Sequence, residues 1–298
     1  MPAFLRAMRP HQWSKNVFVL AALLFAIGDQ SHTGDGYEQA AISVLYAFAA
    51  FCLGSSAVYL LNDILDVERD RLHPEKRHRP IAAGELTIPA AALVAVSCVL
   101  ASIALAYQAA PSVLILLAAY VVMNIAYSLR LKHVVLLDVF CIAGGFLFRV
   151  AAGGEAAGIV ISKWLFLCTL FLALFLALNK RRSEIALMGT DQTATRAILR
   201  EYPLVFLDQM VTVLAACTIL CYAVYTANPE TAQKYGEGHR LAWSVPFVVF
   251  GVARYMLLVQ SSSQGDNPTK VFLAGDKLFL ANNLAWLAVV TAAIGGWI

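Results

Sequence analysis

Three aspartates and an asparagine stand at regular spacing where an apolar run ends: Asn62, Asp63, Asp66 and Asp70, within Asn62-Asp63-Ile64-Leu65-Asp66-Val67-Glu68-Arg69-Asp70. On a continuous helix these four side chains share an arc of about 100°, with Glu68 turned away. Three carboxylates and an amide on one face make a hard oxygen surface, the kind that holds Mg²⁺ and, through it, a phosphorylated substrate. The bland alternative is an acidic helix end solvated in a loop. The next ten residues, Arg71-Leu72-His73-Pro74-Glu75-Lys76-Arg77-His78-Arg79-Pro80, weigh against it. They are strongly basic, and an anionic phosphate needs cations as well as a metal.

A second charged group closes a later apolar run as Leu178-Asn179-Lys180-Arg181-Arg182-Ser183-Glu184. Lys180 and Glu184 share a helix face, and Arg181 lies roughly 100° around. Arg182, Arg196 and Arg200 suit the simpler role of cations at a membrane boundary. Lys180 and Arg181 suit phosphate binding, one as a compact point charge and the other as a planar fork. Tyr127 and Lys132 form a third element; alone they read as an interfacial aromatic and a topology anchor, and beside the other clusters as substrate ligands. Charge within an apolar run is costly and therefore informative. Asp138 and Arg149 lie eleven residues apart on nearly one face, a rise of about 16 Å that rules out a direct ion pair. Each must find its own partner. For Asp138 two roles stay open: positioning of substrate, or a structural bond to Lys132 or a neighbouring helix. Arg149 reads as structural, and Asp208 as a weaker candidate of the same kind as Asp138.

These residues need a membrane scaffold. Sixty per cent of the 298 residues are hydrophobic and 14% charged, which excludes an ordinary soluble globule. A spanning helix takes about 20 mostly apolar residues, and nine such runs are expected, near 15–29, 41–61, 87–107, 111–128, 134–152, 162–179, 203–226, 241–260 and 278–297. The first is the weakest, being short and flanked by Lys15, and no cleavable signal closes it. With the N-terminus cytoplasmic, all of the 22 Lys and Arg except Arg149, Lys163, Lys234 and Arg240 fall on the cytoplasmic side. The chain is thus expected to be a single polytopic domain over 1–298, multi-pass in the inner (cell) membrane, its active site facing the cytoplasm. Two active-site loops are expected, 62–86 and 180–202. Each extends a spanning helix on the same side, four helices apart, which suggests a repeated helical unit with a central cavity between the extensions. The six cysteines all lie in apolar runs and behave as small hydrophobes. The net charge of +3 reflects the inside-positive bias and gives no reason to expect nucleic acid; a homo-oligomer is compatible with everything above.

Together these motifs resemble the UbiA prenyltransferase superfamily over nearly the whole chain. The resemblance rests on the Asn62–Asp70 motif, on Lys76, Arg79 and Pro80, and on the Tyr127/Lys132 spacing. Within the superfamily the chain looks most like the polyprenyl-phosphate phosphoribosyltransferase branch. Arg9-Pro10-His11-Gln12-Trp13-Ser14-Lys15-Asn16, the His73–Gly84 segment and Ser162-Lys163-Trp164 carry that likeness. The resemblance implies an all-α bundle of about nine transmembrane helices. It also implies that ordinary members bind a prenyl diphosphate with two acidic motifs and two Mg²⁺ ions. Where the second acidic motif belongs, this chain has Lys180, Arg181 and Glu184; Asp191 reads as its remnant.

One metal pole and one cationic pole suit 5-phosphoribosyl diphosphate, which carries a diphosphate and a separate 5-phosphate. The expected reaction moves 5-phosphoribose to a polyprenyl phosphate of decaprenyl type, releasing diphosphate, with Mg²⁺ as cofactor. Asn62, Asp63, Asp66 and Asp70 would hold the metal, the three aspartates being catalytic. Lys15, Asn62, Lys76, Arg79, Tyr127, Lys132, Asp138, Lys180, Arg181 and Glu184 would bind substrate, and membrane lipids surround the whole. Two alternatives follow from the same residues: a prenyltransferase acting on an aromatic or lipid acceptor, and a secondary transporter of an anionic metabolite. Transport is disfavoured because Gly144-Gly145 and Gly153-Gly154 have no counterpart in the other half.

Overall fold

In a computed structural model of the chain, the described residues are 1–26, 35–74, 76–187, 197–235, 240–261 and 276–297. They are helical throughout, with no strand among them. In chain order the α-helices are α1 (Ala3–Met8), α2 (Val17–Ala26), α3 (Asp35–Leu65), α4 (Val67–Leu72), α5 (Ile88–Ala109) and α6 (Pro111–Leu129). Then come α7 (Leu137–Ala157), α8 (Lys163–Leu187), α9 (Leu204–Ala227), α10 (Pro229–Tyr235), α11 (Val245–Ser261) and α12 (Lys277–Ile294). Single 3-10 turns join several of them, the longest being Pro10–Asn16.

Eight helices among the described residues are long and apolar enough to cross a bilayer, where nine were expected. The difference lies at the first apolar run. Its described helix, α2, has ten residues and follows the 3-10 turn Pro10–Asn16; the rest of that run, 27–29, lies outside the described residues. The other eight runs sit within a few residues of their expected positions. Tight turns demand special termini: Thr87 caps α5 by accepting from the Ala90 amide, with a proline in the first turn.

The chain divides into two compact units. The first comprises Met1–Ala26, His32–Leu129 and Phe148–Val160, so it takes the C-terminal half of α7. Its axis is α3, which packs along α5 and also against α1, α2 and α6. The apolar stretch of α3 is 61% buried against 17% for α5 and α6, so α3 is interior and the other two turn apolar faces outward. At about 1.5 Å per residue, the 31 residues of α3 reach about 46 Å, well beyond a hydrocarbon core of about 30 Å. Its C-terminal end, with Asn62 and Asp63, therefore stands at the membrane surface. Gly153 lets α7 meet α2 closely: a Cβ there would lie 2.2 Å from the Val19 carbonyl oxygen. Beneath the charged end, Met8, Ala57, Leu60, Val67 and Ile81 form a small apolar core that fixes α1, α4 and the chain after Pro80.

The second unit comprises Ile27–Ser31, Arg130–Leu147 and Ile161–Ile298. Its α8 and α9 pack along each other, and α11 packs against α9 and α12. Phe175, Leu178, Leu207 and Val139 fill the centre. The 25 residues of α8 are again longer than a bilayer requires, so its Lys180–Glu184 end also lies at a membrane boundary. At the start of α12, Asp276 accepts from the Phe279 amide as an N-cap and pairs with Arg254.

Candidate active site

The acidic motif does not ride on one continuous helix, as its spacing had suggested. α3 ends at Leu65, and Asp66 takes φ −96°, ψ 8° before α4 resumes. Amide bonds from Asp66 to Asn62 and from Asp70 to Asp66 nonetheless keep helical register across the break. Val67 is buried in the core below, and this orients α4 so that Asp70 also turns inward while Glu68 and Arg71 pair in solvent. The result splits the four residues. Asp63 and Asp70 are 2% and 3% exposed, while Asn62 and Asp66 remain partly open to solvent.

The buried pair is bound by arginine. Oδ1 of Asp63 accepts from Arg9 at 2.5 Å and from Arg79 at 3.1 Å; Oδ2 of Asp70 accepts from Arg79 at 2.6 Å. Arg79 thus bridges the two carboxylates with a single nitrogen. Arg9 ends α1 in the left-handed region at φ 55°, a conformation costing a non-glycine residue about 1–2 kcal/mol. Its ion pair to Asp63 and its position 5.0 Å above the Tyr59 ring offset that cost. Trp13 donates to Ser56, and Ser56 donates to the Met8 carbonyl, which ties the N-terminal segment to α3. Lys15 and Lys76 are exposed, and Tyr127 is half-buried at the end of α6.

Does this group suit a divalent cation? The donors are hard oxygens, the right chemistry for Mg²⁺. Asp66 makes no capping hydrogen bond and is partly exposed. Among the described residues, no three acidic, His or Cys side chains converge into a ready cage. The set therefore fits a hard cation by donor type, with Asp63 and Asp70 each directing one oxygen at a guanidinium.

The second unit holds the other charged group. Asp138 is fully buried in the first turn of α7: Oδ2 accepts from Arg181 Nε at 2.8 Å, and Oδ1 from the Tyr202 hydroxyl at 2.6 Å. Tyr202 in turn accepts from the Leu136 amide at 2.8 Å. Burial first, and then the bond to Asp138, pushes the Tyr202 phenol above its ordinary range, so it stays protonated as a donor. Asp138 does bond a neighbouring helix, and its partner there is Arg181, where Lys132 was the named candidate. Arg181 is correspondingly 2% exposed, and its other arm meets Glu184 at 2.6 Å. Expected as an open phosphate ligand, it instead spends these donors on two protein carboxylates. Lys180 remains exposed, 3.9 Å from Glu184, and Lys132 is half-buried in a 3-10 turn. Asp208, the weaker candidate, pairs with Arg182.

Arg149 finds its own partners, as its distance from Asp138 requires. Nε donates to Asn16 at 2.6 Å, one NH2 donates to the Tyr120 hydroxyl at 3.0 Å, and the guanidinium lies 4.7 Å from the Tyr120 ring centre. Asn16 also donates towards Cys52 and Ser55. Asp191, Glu75 and the 265–275 stretch with Gly265, Asp266 and Thr269 lie outside the described residues. Arg9 and Tyr202 were not read as site residues. Arg9 stood inside a quoted motif, whereas nothing local marks Tyr202, which reaches Asp138 across 64 positions.

The model of the UbiA prenyltransferase family matches residues 16–283. A protein of Mycolicibacterium smegmatis named decaprenyl-phosphate phosphoribosyltransferase is 34% identical over 97% of this chain and 92% of its own length. Its namesake in Mycobacterium tuberculosis H37Rv is 36% identical over 97% and 93%. Among solved structures, a UbiA homolog from Archaeoglobus fulgidus bound to GPP and Mg²⁺ superposes with a TM-score of 0.69 at 18% identity, covering 98% of this chain and 99% of that one.

Proposed function

The chain belongs to the UbiA prenyltransferase family, a multi-pass membrane family, and on that premise we propose that it is a polyprenyl-phosphate phosphoribosyltransferase. It moves 5-phosphoribose from 5-phosphoribosyl diphosphate to a polyprenyl phosphate of decaprenyl type and releases diphosphate. One observation carries this reading. Carboxylates for a metal and guanidiniums for phosphate interlock at the α3–α4 break of a chain that aligns over 97% of its length with proteins of that name.

In the reaction, the bond from the ribose anomeric carbon to diphosphate breaks with its electron pair leaving on diphosphate. A phosphate oxygen of the lipid then bonds to that carbon. The acceptor is already anionic, so no general base is required. Asn62, Asp63, Asp66 and Asp70 would hold a divalent cation, proposed as Mg²⁺, which would supply positive charge for the departing diphosphate. Carboxylate charge from the same residues stabilises the oxocarbenium-like carbon. Lys15, Lys76 and Arg79 hold phosphate beside them in the first unit. Tyr127 is a further candidate contact in the first unit; in the second unit Lys132 and Lys180, the latter exposed beside the buried Asp138–Arg181–Glu184 chain, are candidate phosphate cations of their own. Asp138 and Arg181 act as positioning residues. The loops 62–86 and 180–202 carry the chemistry. The inside-positive bias supports a cytoplasmic face of the inner (cell) membrane for them, with the N-terminus on that side.

The test is direct. Purified protein in lipid nanodiscs receives Mg²⁺, 5-phosphoribosyl diphosphate and decaprenyl phosphate, and mass spectrometry should find a lipid-linked 5-phosphoribose. No such product, together with turnover of a prenyl diphosphate and an aromatic acceptor, would replace this reading by the prenyltransferase one.

A further inference from the structure

A cavity of about 500 Å³ opens beside the acidic motif within the first unit, lined by Arg6, Arg9, His11, Asp63, His78 and Arg79 among others. That volume lies in the range of small-molecule sites, about 300–1,000 Å³. It exceeds the needs of a lone ion and suits a phosphorylated sugar.

Its charge is one-sided. Three guanidiniums and two imidazoles line it against a single carboxylate, Asp63, whose Oδ1 is already bound by Arg9 and Arg79. Arg6 is held from behind by Glu85 at 3.0 Å, and Arg79 by Asp70. A guanidinium gripped on one edge keeps its fork oriented, and its remaining N–H groups stay available to a second oxyanion. His78 Nε2 accepts from Arg77 Nε at 3.3 Å, which leaves Nδ1 to carry the proton and serve as a donor. His11 and His78 are exposed, so the cavity is reached from water. Met1, Pro10 and Pro80 complete the lining, so the charged groups stand on a partly apolar wall.

We propose that this cavity is a phosphate-monoester subsite for the sugar donor, with Arg6, Arg9, His11 and His78 binding the 5-phosphate while the acidic motif beside it takes the diphosphate. The proposal rests on the reading given under Proposed function and adds residues to it that no motif assigned. It divides the donor between neighbouring groups on the same unit: guanidinium and imidazole for the terminal phosphate, carboxylate and metal for the leaving group. It also explains why the 3-10 turn Pro10–Asn16 is held so firmly. Arg149 and Ser55 grip its last residue, Asn16, and Trp13 grips its middle, which fixes Arg9 and His11 at the cavity mouth.

Ribose 5-phosphate, which has the monoester without the diphosphate, is the probe, and farnesyl phosphate is the lipid counterpart. Calorimetric titration uses full-length protein in phosphatidylcholine nanodiscs. Arg6→Ala and the pair His11→Ala/His78→Ala should each weaken ribose 5-phosphate binding about tenfold, the equivalent of about 1.4 kcal/mol. Farnesyl phosphate affinity should stay constant. Glu85→Ala removes the same ion pair as Arg6→Ala but no phosphate ligand, so it should leave ribose 5-phosphate binding within about twofold. Unchanged ribose 5-phosphate affinity in the Arg6 and histidine variants overturns the subsite. So does a loss confined to farnesyl phosphate, or an equal loss in Glu85→Ala. The two readings fail separately. Wild type that binds ribose 5-phosphate through these residues yet makes no pentosyl lipid keeps the subsite and removes the transferase; active enzyme with unmoved binding does the reverse.

Discussion

Asp138 gives the sharpest test of how the second unit is built. Its carboxylate has no solvent exposure, accepts from Arg181 at 2.8 Å and from Tyr202 at 2.6 Å, and faces a guanidinium that is itself almost wholly buried. Asp138→Ala takes from that guanidinium its fully buried carboxylate, whereas Glu184 is one-third exposed and so better screened. Removing one partner of a buried pair costs about 3–5 kcal/mol, chiefly the desolvation of the charge left behind. For a chain of this size, at about 2 °C per kcal/mol, the unfolding midpoint in nanodiscs should fall by roughly 6–10 °C. The same reasoning makes a second, less obvious demand. Replacing both charges with apolar groups of similar volume, Asp138→Leu with Arg181→Met, should recover part of that loss, since neither member of the buried pair is then left charged inside the protein. Thermal unfolding followed by tryptophan fluorescence reads both variants. An unshifted midpoint in Asp138→Ala, or a double variant no more stable than the single one, would refute the account of Asp138 as the counter-charge that positions Arg181.

The acidic motif should divide by burial. Asp66→Ala and Asp70→Ala should both abolish lipid-linked product. Asp70→Ala should also lower the unfolding midpoint because Arg79 loses the nearer of its two carboxylates, while Asp66→Ala, partly exposed and without a capping bond, should stay within about 0.5 kcal/mol of wild type. Gly153→Ala places a methyl group 2.2 Å from the Val19 carbonyl and should destabilise by about 1–3 kcal/mol, visible in the same unfolding assay as a loss that Gly54→Ala, facing a yielding Leu117 methyl, does not match. The Arg254 hydrogen bond, then the Phe279 amide, lowers the Asp276 carboxyl below its ordinary value of 3.8. A depressed folded-state value adds stability above the unfolded carboxylate range and loses it as pH falls through the folded one. The difference in midpoint between wild type and Asp276→Ala should therefore be full at pH 6 and shrink below pH 4; a difference that grows on acidification would reverse the sign.

The scaffold was legible because the bilayer imposes one dominant rule. Apolar runs of spanning length announce helices, and eight of the nine expected runs are present as such among the described residues. The first begins at Val17 and ends outside the described residues; Pro10 starts a 3-10 turn that closes on Ser56 and Arg149. Hydropathy records how greasy a segment is and says nothing about which buried polar partners another helix will offer. The break at Asp66 escaped notice for a related reason. Helical register continues through it, so the periodicity of the four polar residues is the same with or without the break.

Side-chain roles were legible only where a residue type has one dominant use. Carboxylates beside a basic run are what a phosphate and metal surface would need, and at the α3–α4 break Asp63 and Asp70 do meet Arg79, a named member of that run. Cations are harder to read, because guanidinium serves protein carboxylates and substrate phosphates with the same geometry. Lys180 and Arg181 are adjacent in sequence and were assigned one role, yet adjacent positions on a helix point about 100° apart. One such step carries Arg181 inward, where Asp138 and Tyr202 close around it, and leaves Lys180 at the surface. The partner that decides this, Asp138, is 43 residues away, so no window along the chain contains the answer. The same holds for Arg9. Its neighbours in sequence mark it as a boundary cation, and only the fold, by placing Asp63 and Tyr59 around it, brings it to the carboxylates it serves. A charged residue at a membrane boundary is therefore assigned by what the fold puts within 3 Å of it, and exposure then separates the cations left for substrate from those already committed to the protein.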